Sequence, residues 1–199
     1  EEITGVDLVA VQLGIAAGRS LDELGLAEAP QVRGQAIQLR VLAESLDASG
    51  DPRPSGGTLT RWVPPAGPGV RIDSAMGEGL TAHPAYDSLI AKLIISTAEA
   101  DPARLLKRTA RALSEFVIEG IETNIDLLGA LLGNPEIHQG KTTTRFVEAK
   151  AGSLFSEAAR LSDQRSASQS NASERASSPG SSGSPKRTLD EGLVGVPAP

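Results

Sequence analysis

Residues 33–44 read RGQAIQLRVLAE, and the fold turns on how this stretch is read. Ile37, Leu39, Val41 and Ala43 alternate with Gln38, Arg40 and Glu44, the period of a strand that buries one face. Leu42 is the one apolar residue on the polar side. The pattern puts a guanidinium in mid-strand, with an amide and a carboxylate near it. Two readings stay open on pattern alone: a solvated sheet face with Arg40 paired to a neighbour such as Glu44, or a fixed cation set to meet an anion.

The stretches around this strand predict helices and further strands. Upstream, residues 5–18 (GVDLVAVQLGIAAG) predict a helix capped by Thr4, with Asp7 in its first turn and Gly18 at its end. Val6, Val9, Leu13 and Ala16 or Ala17 give it an apolar stripe. Downstream, residues 57–65 and 69–76 predict two strands joined through a turn dense in proline and glycine. Residues 86–96 (YDSLIAKLIIS) read as a buried strand, branched and apolar apart from Lys92. In residues 100–116 Asp101 caps a helix, Pro102 takes its first position, and Leu105, Leu106, Thr109, Leu113 and Phe116 form its inner face. Residues 116–120 predict a short strand, and residues 123–133 a helix capped by Thr123 or Asn124 and closed by Gly133. Strands interleaved with helices on one side make an α+β layer.

Composition narrows the function. The 199 residues carry 22% charged side chains and a net charge of −6. That acidic balance counts against a nucleic-acid partner, which needs surplus lysine and arginine to displace counterions. No apolar run approaches the roughly 20 residues of a membrane span. There are no cysteines, so disulfides and thiolate metal sites are excluded, and an intracellular origin fits. Met76 is the only methionine and the chain opens Glu1-Glu2-Ile3, which predicts a piece of a longer polypeptide.

Most candidate chemistry has a plain structural explanation. His83 and His138 lack metal-ligand spacing and read as surface histidines. The glycine-rich turns have neither the spacing nor the lysine of a phosphate loop. Arg104, Lys107, Arg108 and Arg111 read as the solvated face of a helix. Asp87 and Ser88 read as bracing a strand entry, and Lys92 as pairing with a carboxylate in the core, with a substrate contact as the competing reading. The serine-rich composition after Ser162 predicts a linker with too little apolar surface to order itself. LVGVPAP, residues 193–199, closes the chain with β-prone residues.

Six blocks together carry a resemblance: EEITGVDLVAVQLGIAAG (1–18), RGQAIQLRVLAE (33–44), GTLTRWVPPAGPGVRID (57–73), HPAYDSLIAKLI (83–94), EFVIEGIETNIDLLGALL (115–132) and TTRFVEA (143–149). In order and spacing they resemble the C-terminal subdomain of biotin carboxylase. The resemblance implies an α+β subdomain of an ATP-grasp fold over residues 1–150, mainly antiparallel sheet with flanking helices. Residues 151–161 would form a terminal helix and residues 162–190 a disordered linker. Residues 191–199 resemble the opening strand of a biotinyl carrier domain.

Members of that family use ATP and Mg²⁺ to activate bicarbonate as carboxyphosphate, then carboxylate biotin held on a carrier domain. By this resemblance Arg40 is the catalytic arginine beside the biotin ureido group, stabilising the enolate formed as N1 loses its proton. A fixed guanidinium would present donors to that oxyanion without reorganisation. Arg71 would contribute to a homodimer interface, although Pro68 stands where the family sometimes carries an aromatic. Thr144 and Arg145 would flank the nucleotide. The family's lid, metal-binding glutamates and bicarbonate ligands fall in the region that would precede Glu1, so the chain alone is expected to be inactive. Implied partners are a biotinyl carrier domain and a carboxyltransferase component, in the cytoplasm or mitochondrial matrix. The acyl acceptor stays open, with a lean toward an acyl-CoA carboxylase. The competing functions are a non-catalytic dimerisation or docking module of the same fold and another ATP-grasp ligase.

Overall fold

Strand β1, Gln35–Leu42, follows the alternation of its sequence, with Arg40 exposed and Val41 fully buried. The structure is a computed structural model that describes residues 1–46, 52–85 and 87–177. Around β1 the described elements run α1 (Leu8–Ala16), β1, β2 (Glu44–Leu46), β3 (Pro52–Pro54), β4 (Gly57–Thr58), β5 (Arg61–Val63), β6 (Val70–Asp73), β7 (Thr81–Ala82) and β8 (Leu89–Thr97). They continue through α2 (Pro102–Glu115), β9 (Val117–Glu119), α3 (Ile125–Leu132), α4 (Pro135–His138) and α5 (Phe146–Ser177).

The central sheet has the order β1-β8-β6, antiparallel throughout. Ile37, Leu39 and Val41 of β1 share a face with Ala91, Leu93 and Ile95 of β8 and Ile72 of β6. The inner side of α2 packs on this face through Leu105, Leu106, Ala112 and Leu113, and Phe116 follows at the helix end. Burying each of these leucines or the phenylalanine is worth about 1.5–3 kcal/mol. Thr109 is the polar member of that interface, and its hydroxyl is satisfied by the Leu105 carbonyl at 2.8 Å. Among the described residues no helix packs on the opposite face of the sheet, although Ile94 is buried there between its strand neighbours. Three two-stranded pairs, β2–β3, β4–β7 and β5–β9, complete the strand pairing among the described residues. A smaller apolar cluster joins Ala130 of α3 to Phe146, Leu154 and Ala158 of α5.

The α2 expectation holds in detail: the Asp101 carboxylate accepts from the Arg104 N–H, and Pro102 opens the helix. The first helix is shorter than its sequence predicts. Asp7, not Thr4, caps it by accepting from the Ala10 N–H at 2.9 Å, because Gly5 at φ +70° turns the preceding residues out of helical geometry. Its apolar side chains lie open, with Val9 65% and Leu13 67% exposed, and its one buried residue is Gly14.

The chain divides into two units, Glu1–Gln164 and Arg165–Pro199. Order was expected to end at Ser162, yet α5 continues to Ser177. Serine costs a helix only a few tenths of a kcal/mol relative to alanine, and no glycine or proline interrupts residues 153–178. The remainder of the expected linker, and the biotinyl-like residues 191–199, lie outside the described residues. Among the described residues no helix is long and apolar enough to cross a membrane.

Candidate functional site

Strand pairing arranges the polar side of the central sheet as a small grid. Gln38 lies opposite Ile94, and Ile94 opposite Arg71; one step along, Arg40 lies opposite Lys92, and Lys92 opposite Asp73. Side chains alternate along a strand, so these residues share the uncovered face.

The two ends of the grid differ electrostatically. Arg71 is neutralised at its end: its guanidinium donates to both Asp73 oxygens, at 2.7 and 3.0 Å, and pairs with Glu2 at 3.0 Å and Glu1 at 3.2 Å. Hydrogen bonds donated to Asp73, Glu2 and Glu1, in that order, raise its pKa, so it stays charged at any accessible pH. Ser96 reinforces the cluster by donating to Glu2. At the β1 edge, neither Arg40 nor Lys92 has a carboxylate within ion-pairing distance among the described residues. Glu44, the neighbour that could have neutralised Arg40, instead accepts a 2.6 Å hydrogen bond from Ser88.

Lys92 corrects an expectation. It lies half-buried on the open face beside Arg40, not in an ion pair within the core, because the alternation of β8 turns Ala91 and Leu93 inward instead. The expected bracing role of Asp87 is present: its carboxylate accepts from the Leu89 N–H at 3.0 Å, at the start of β8.

The backbone of β1 is pinned beside Arg40. The β1–β8 register shifts between Val41 and Leu42. There Asn124 meets the strand three times: Leu42 N–H donates to Oδ1 at 2.9 Å, Nδ2 donates to the Arg40 carbonyl at 3.1 Å, and Asn124 N–H donates to the Leu42 carbonyl at 3.2 Å. The sequence reading saw Asn124 only as a helix cap. No local pattern reveals this contact, since the partners lie 84 residues apart.

Thr144 and Arg145 are exposed in the turn that opens α5, and no hydrogen bond or ion pair among the described residues joins them to Arg40. His83 accepts from the Ala85 N–H through Nδ1, and His138 donates through Nε2 to the Leu132 carbonyl at 2.6 Å. A cleft of about 160 Å³ lies between the 66–68 turn and α2. Its arginines are engaged, Arg108 with the Pro68 carbonyl and Arg111 with Glu115.

A two-layer α+β domain with cations on its sheet face that no carboxylate neutralises among the described residues defines a cationic wall, able to offer N–H donors to an oxyanion. The chain belongs to the biotin carboxylase C-terminal domain family, whose pattern matches residues 38–149. It is 42% identical over 150 residues to a biotin carboxylase of Halalkalibacterium halodurans, a match covering 74% of this chain and 31% of that protein. Among solved structures, it resembles a single-chain, multi-domain long-chain acyl-CoA carboxylase at 43% identity and TM-score 0.73, over 80% of this chain and 17% of that one. It also resembles the biotin carboxylase domain of the Hydrogenobacter thermophilus 2-oxoglutarate carboxylase, a dimer in complex with MgADP, ADP and bicarbonate. That match has 34% identity and TM-score 0.65, covering 76% of this chain and 32% of that one. The chain spans about a third of the length of the biotin carboxylases it matches.

Proposed function

We propose that this chain supplies the biotin-facing wall of a biotin carboxylase, in an enzyme that carboxylates carrier-borne biotin with ATP and bicarbonate. One observation carries the reading: Arg40 projects from a rigid strand onto an open face, and no carboxylate among the described residues neutralises it. Bound biotin supplies the nucleophilic ureido nitrogen. Arg40 offers planar N–H donors to the ureido oxygen, where negative charge builds as that nitrogen loses its proton. Donors aimed at a developing charge and fixed beforehand need no reorganisation, and losing one typically costs about 3 kcal/mol, or roughly a hundredfold in rate. Lys92 adds positive potential one strand away.

The remaining assignments rest on the same reading. Thr144 and Arg145 contact nucleotide, for which their exposure leaves them available. Arg71 contributes to a homodimer interface. Mg²⁺ takes its ligands from residues outside this chain. The partners are a biotinyl carrier domain and a carboxyltransferase component, in the cytoplasm or mitochondrial matrix. The acceptor stays open among acyl-CoA thioesters, pyruvate and urea, with a lean toward an acyl-CoA.

A docking module without catalysis is the second reading, favoured by the exposed Leu8, Val9 and Leu13 of α1. Arg40→Ala in the complete enzyme separates the two. The catalytic reading expects carboxybiotin formation to fall roughly a hundredfold while bicarbonate-dependent ATP cleavage stays near normal. Lysine at position 40 should rescue only partly, since a point charge does not reproduce the planar fork. Normal carboxybiotin formation in Arg40→Ala would sink the catalytic role. The 199-residue chain by itself is expected to release no phosphate from ATP with bicarbonate and Mg²⁺.

A further inference from the structure

Three residues that precede helices use their side chains as caps. Asp7 accepts from Ala10 N–H, Asp101 from Arg104 N–H and Asn134 from Glu136 N–H. Asn124 precedes α3 with no side-chain capping bond, although asparagine is among the best capping residues. Its amide is turned away from its own helix and onto β1, where both of its polar ends are used.

The place it grips is particular. β1 is an edge strand of the central sheet, so the backbone groups of Arg40 and Leu42 that point away from β8 have no neighbouring strand among the described residues. Asn124 stands in for that strand over one span: Oδ1 takes the Leu42 N–H, Nδ2 serves the Arg40 carbonyl, and its own N–H serves the Leu42 carbonyl. On the other side of β1, the ladder to β8 loses register between Val41 and Leu42. The backbone that carries the arginine is thus least constrained by β8 where Asn124 holds it.

We propose that Asn124 is a positioning residue for Arg40, fixing the backbone from which the guanidinium projects and with it the aim of its donors. This rests on the reading of Arg40 as the group facing the biotin ureido oxygen. A misplacement of about 1 Å in a group that must meet a developing charge can cost on the order of a hundredfold in rate, and partial loosening costs less. Asn124 itself touches no substrate; it acts through the strand.

The test is a double-mutant cycle in the complete enzyme, with amide exchange on the 199-residue chain beside it. Asn124→Ala should lower carboxybiotin formation about tenfold, with ATP cleavage unchanged. On an Arg40→Ala background it should cost nothing further, because its effect passes through the arginine. Leu42 N–H exchange should accelerate at least tenfold in Asn124→Ala. Asn124→Asp keeps the acceptor for Leu42 but loses the donor to the Arg40 carbonyl, so it should preserve Leu42 protection and give an intermediate rate; it also serves if the alanine variant fails to fold. Asn134→Ala, which loses a cap that does not touch β1, should leave carboxybiotin formation unchanged. Losses from Asn124 and Arg40 that multiply independently would overturn the proposal, as would an equal fall of both reactions in Asn124→Ala. If Arg40→Ala lowers carboxybiotin formation and Asn124→Ala and Asn124→Asp do not, the positioning role alone fails. If Arg40→Ala leaves carboxybiotin formation intact, the reading of Arg40 fails and the positioning role with it.

Discussion

Trp62 meets Phe116 edge to face, with ring centroids 5.0 Å apart and planes inclined at 76°. The pair links β5, where Trp62 lies opposite Ile118 of β9, to the residue that ends α2. Phe116 is fully buried. Phe116→Ala should destabilise the domain by about 3–5 kcal/mol, combining lost transfer energy, a cavity and a broken aromatic pair. Trp62 is the only tryptophan, so its fluorescence reports both the local change and the unfolding midpoint in denaturant. A loss below about 1 kcal/mol would mean that the β5–β9 pair is not anchored through this ring.

Gly120 has φ +96°, and a Cβ there would lie 2.1 Å from the Thr58 carbonyl oxygen. Gly120→Ala should therefore cost more than about 2 kcal/mol, from left-handed strain and a backbone clash together. Gly5→Ala is the control: φ is +70° but nothing lies within 4 Å of the added carbon, so the cost should stay near 1–2 kcal/mol. Equal denaturation midpoints for the two variants would contradict the close approach at Gly120.

Leu13 is 67% exposed, whereas Leu93 is fully buried. Leu13→Gln should change stability by less than about 0.5 kcal/mol, while Leu93→Ala should cost about 2–5 kcal/mol. Binding of a hydrophobic fluorescent dye should fall in Leu13→Gln and not in a surface control such as Lys107→Gln. A large destabilisation in Leu13→Gln would show that α1 is covered when the chain is alone in solution.

Glu157 accepts a 2.8 Å hydrogen bond from Arg160 on α5, and this bond, with the arginine's charge, holds its carboxyl below the usual carboxylate range. A depressed folded-state pKa stabilises the helix above the unfolded value of about 4.3, and the contribution fades as pH falls through the lowered value. The carboxyl resonance of Glu157 should titrate below an ordinary glutamate in the native chain and return to the ordinary range in Arg160→Met. The loss of α5 helicity on acidification should shrink in Glu157→Gln. No shift in Arg160→Met would show that the pair does not form in solution.

The sequence reveals what depends on neighbours a few residues apart. Asp101, Pro102 and the apolar positions of α2 announce that helix locally, and the alternation from Ile37 to Val41 announces β1 and the outward aim of Arg40. Strands β2, β3 and β7 escape notice because two- and three-residue strands have no period to detect, and the single strand expected over residues 57–65 is instead β4 and β5, each paired with a different partner. The Arg71 cluster depends on Glu1 and Glu2, far away in the chain, and the grip of Asn124 on β1 is equally non-local. The apolarity of α1 is plain in its sequence, but whether a partner covers it is not a property of the helix. Serine richness lowers helix propensity too little to stop α5 without a glycine or proline.

The 84 residues between Arg40 and Asn124 also order events in time. A ribosome adding about 5–20 residues per second delivers Asn124 roughly 4–17 s after Arg40. By the end of that interval β1, β8, β6 and α2 have all been made, while the outward backbone groups beside Arg40 have waited for their partner. A clipped chain ending near Glu119 would contain every strand of the central sheet and yet lack the residue that holds the arginine's backbone. The clamp makes α3 a late checkpoint: the strand edge is finished only by a chain that has been synthesised past its last short strand.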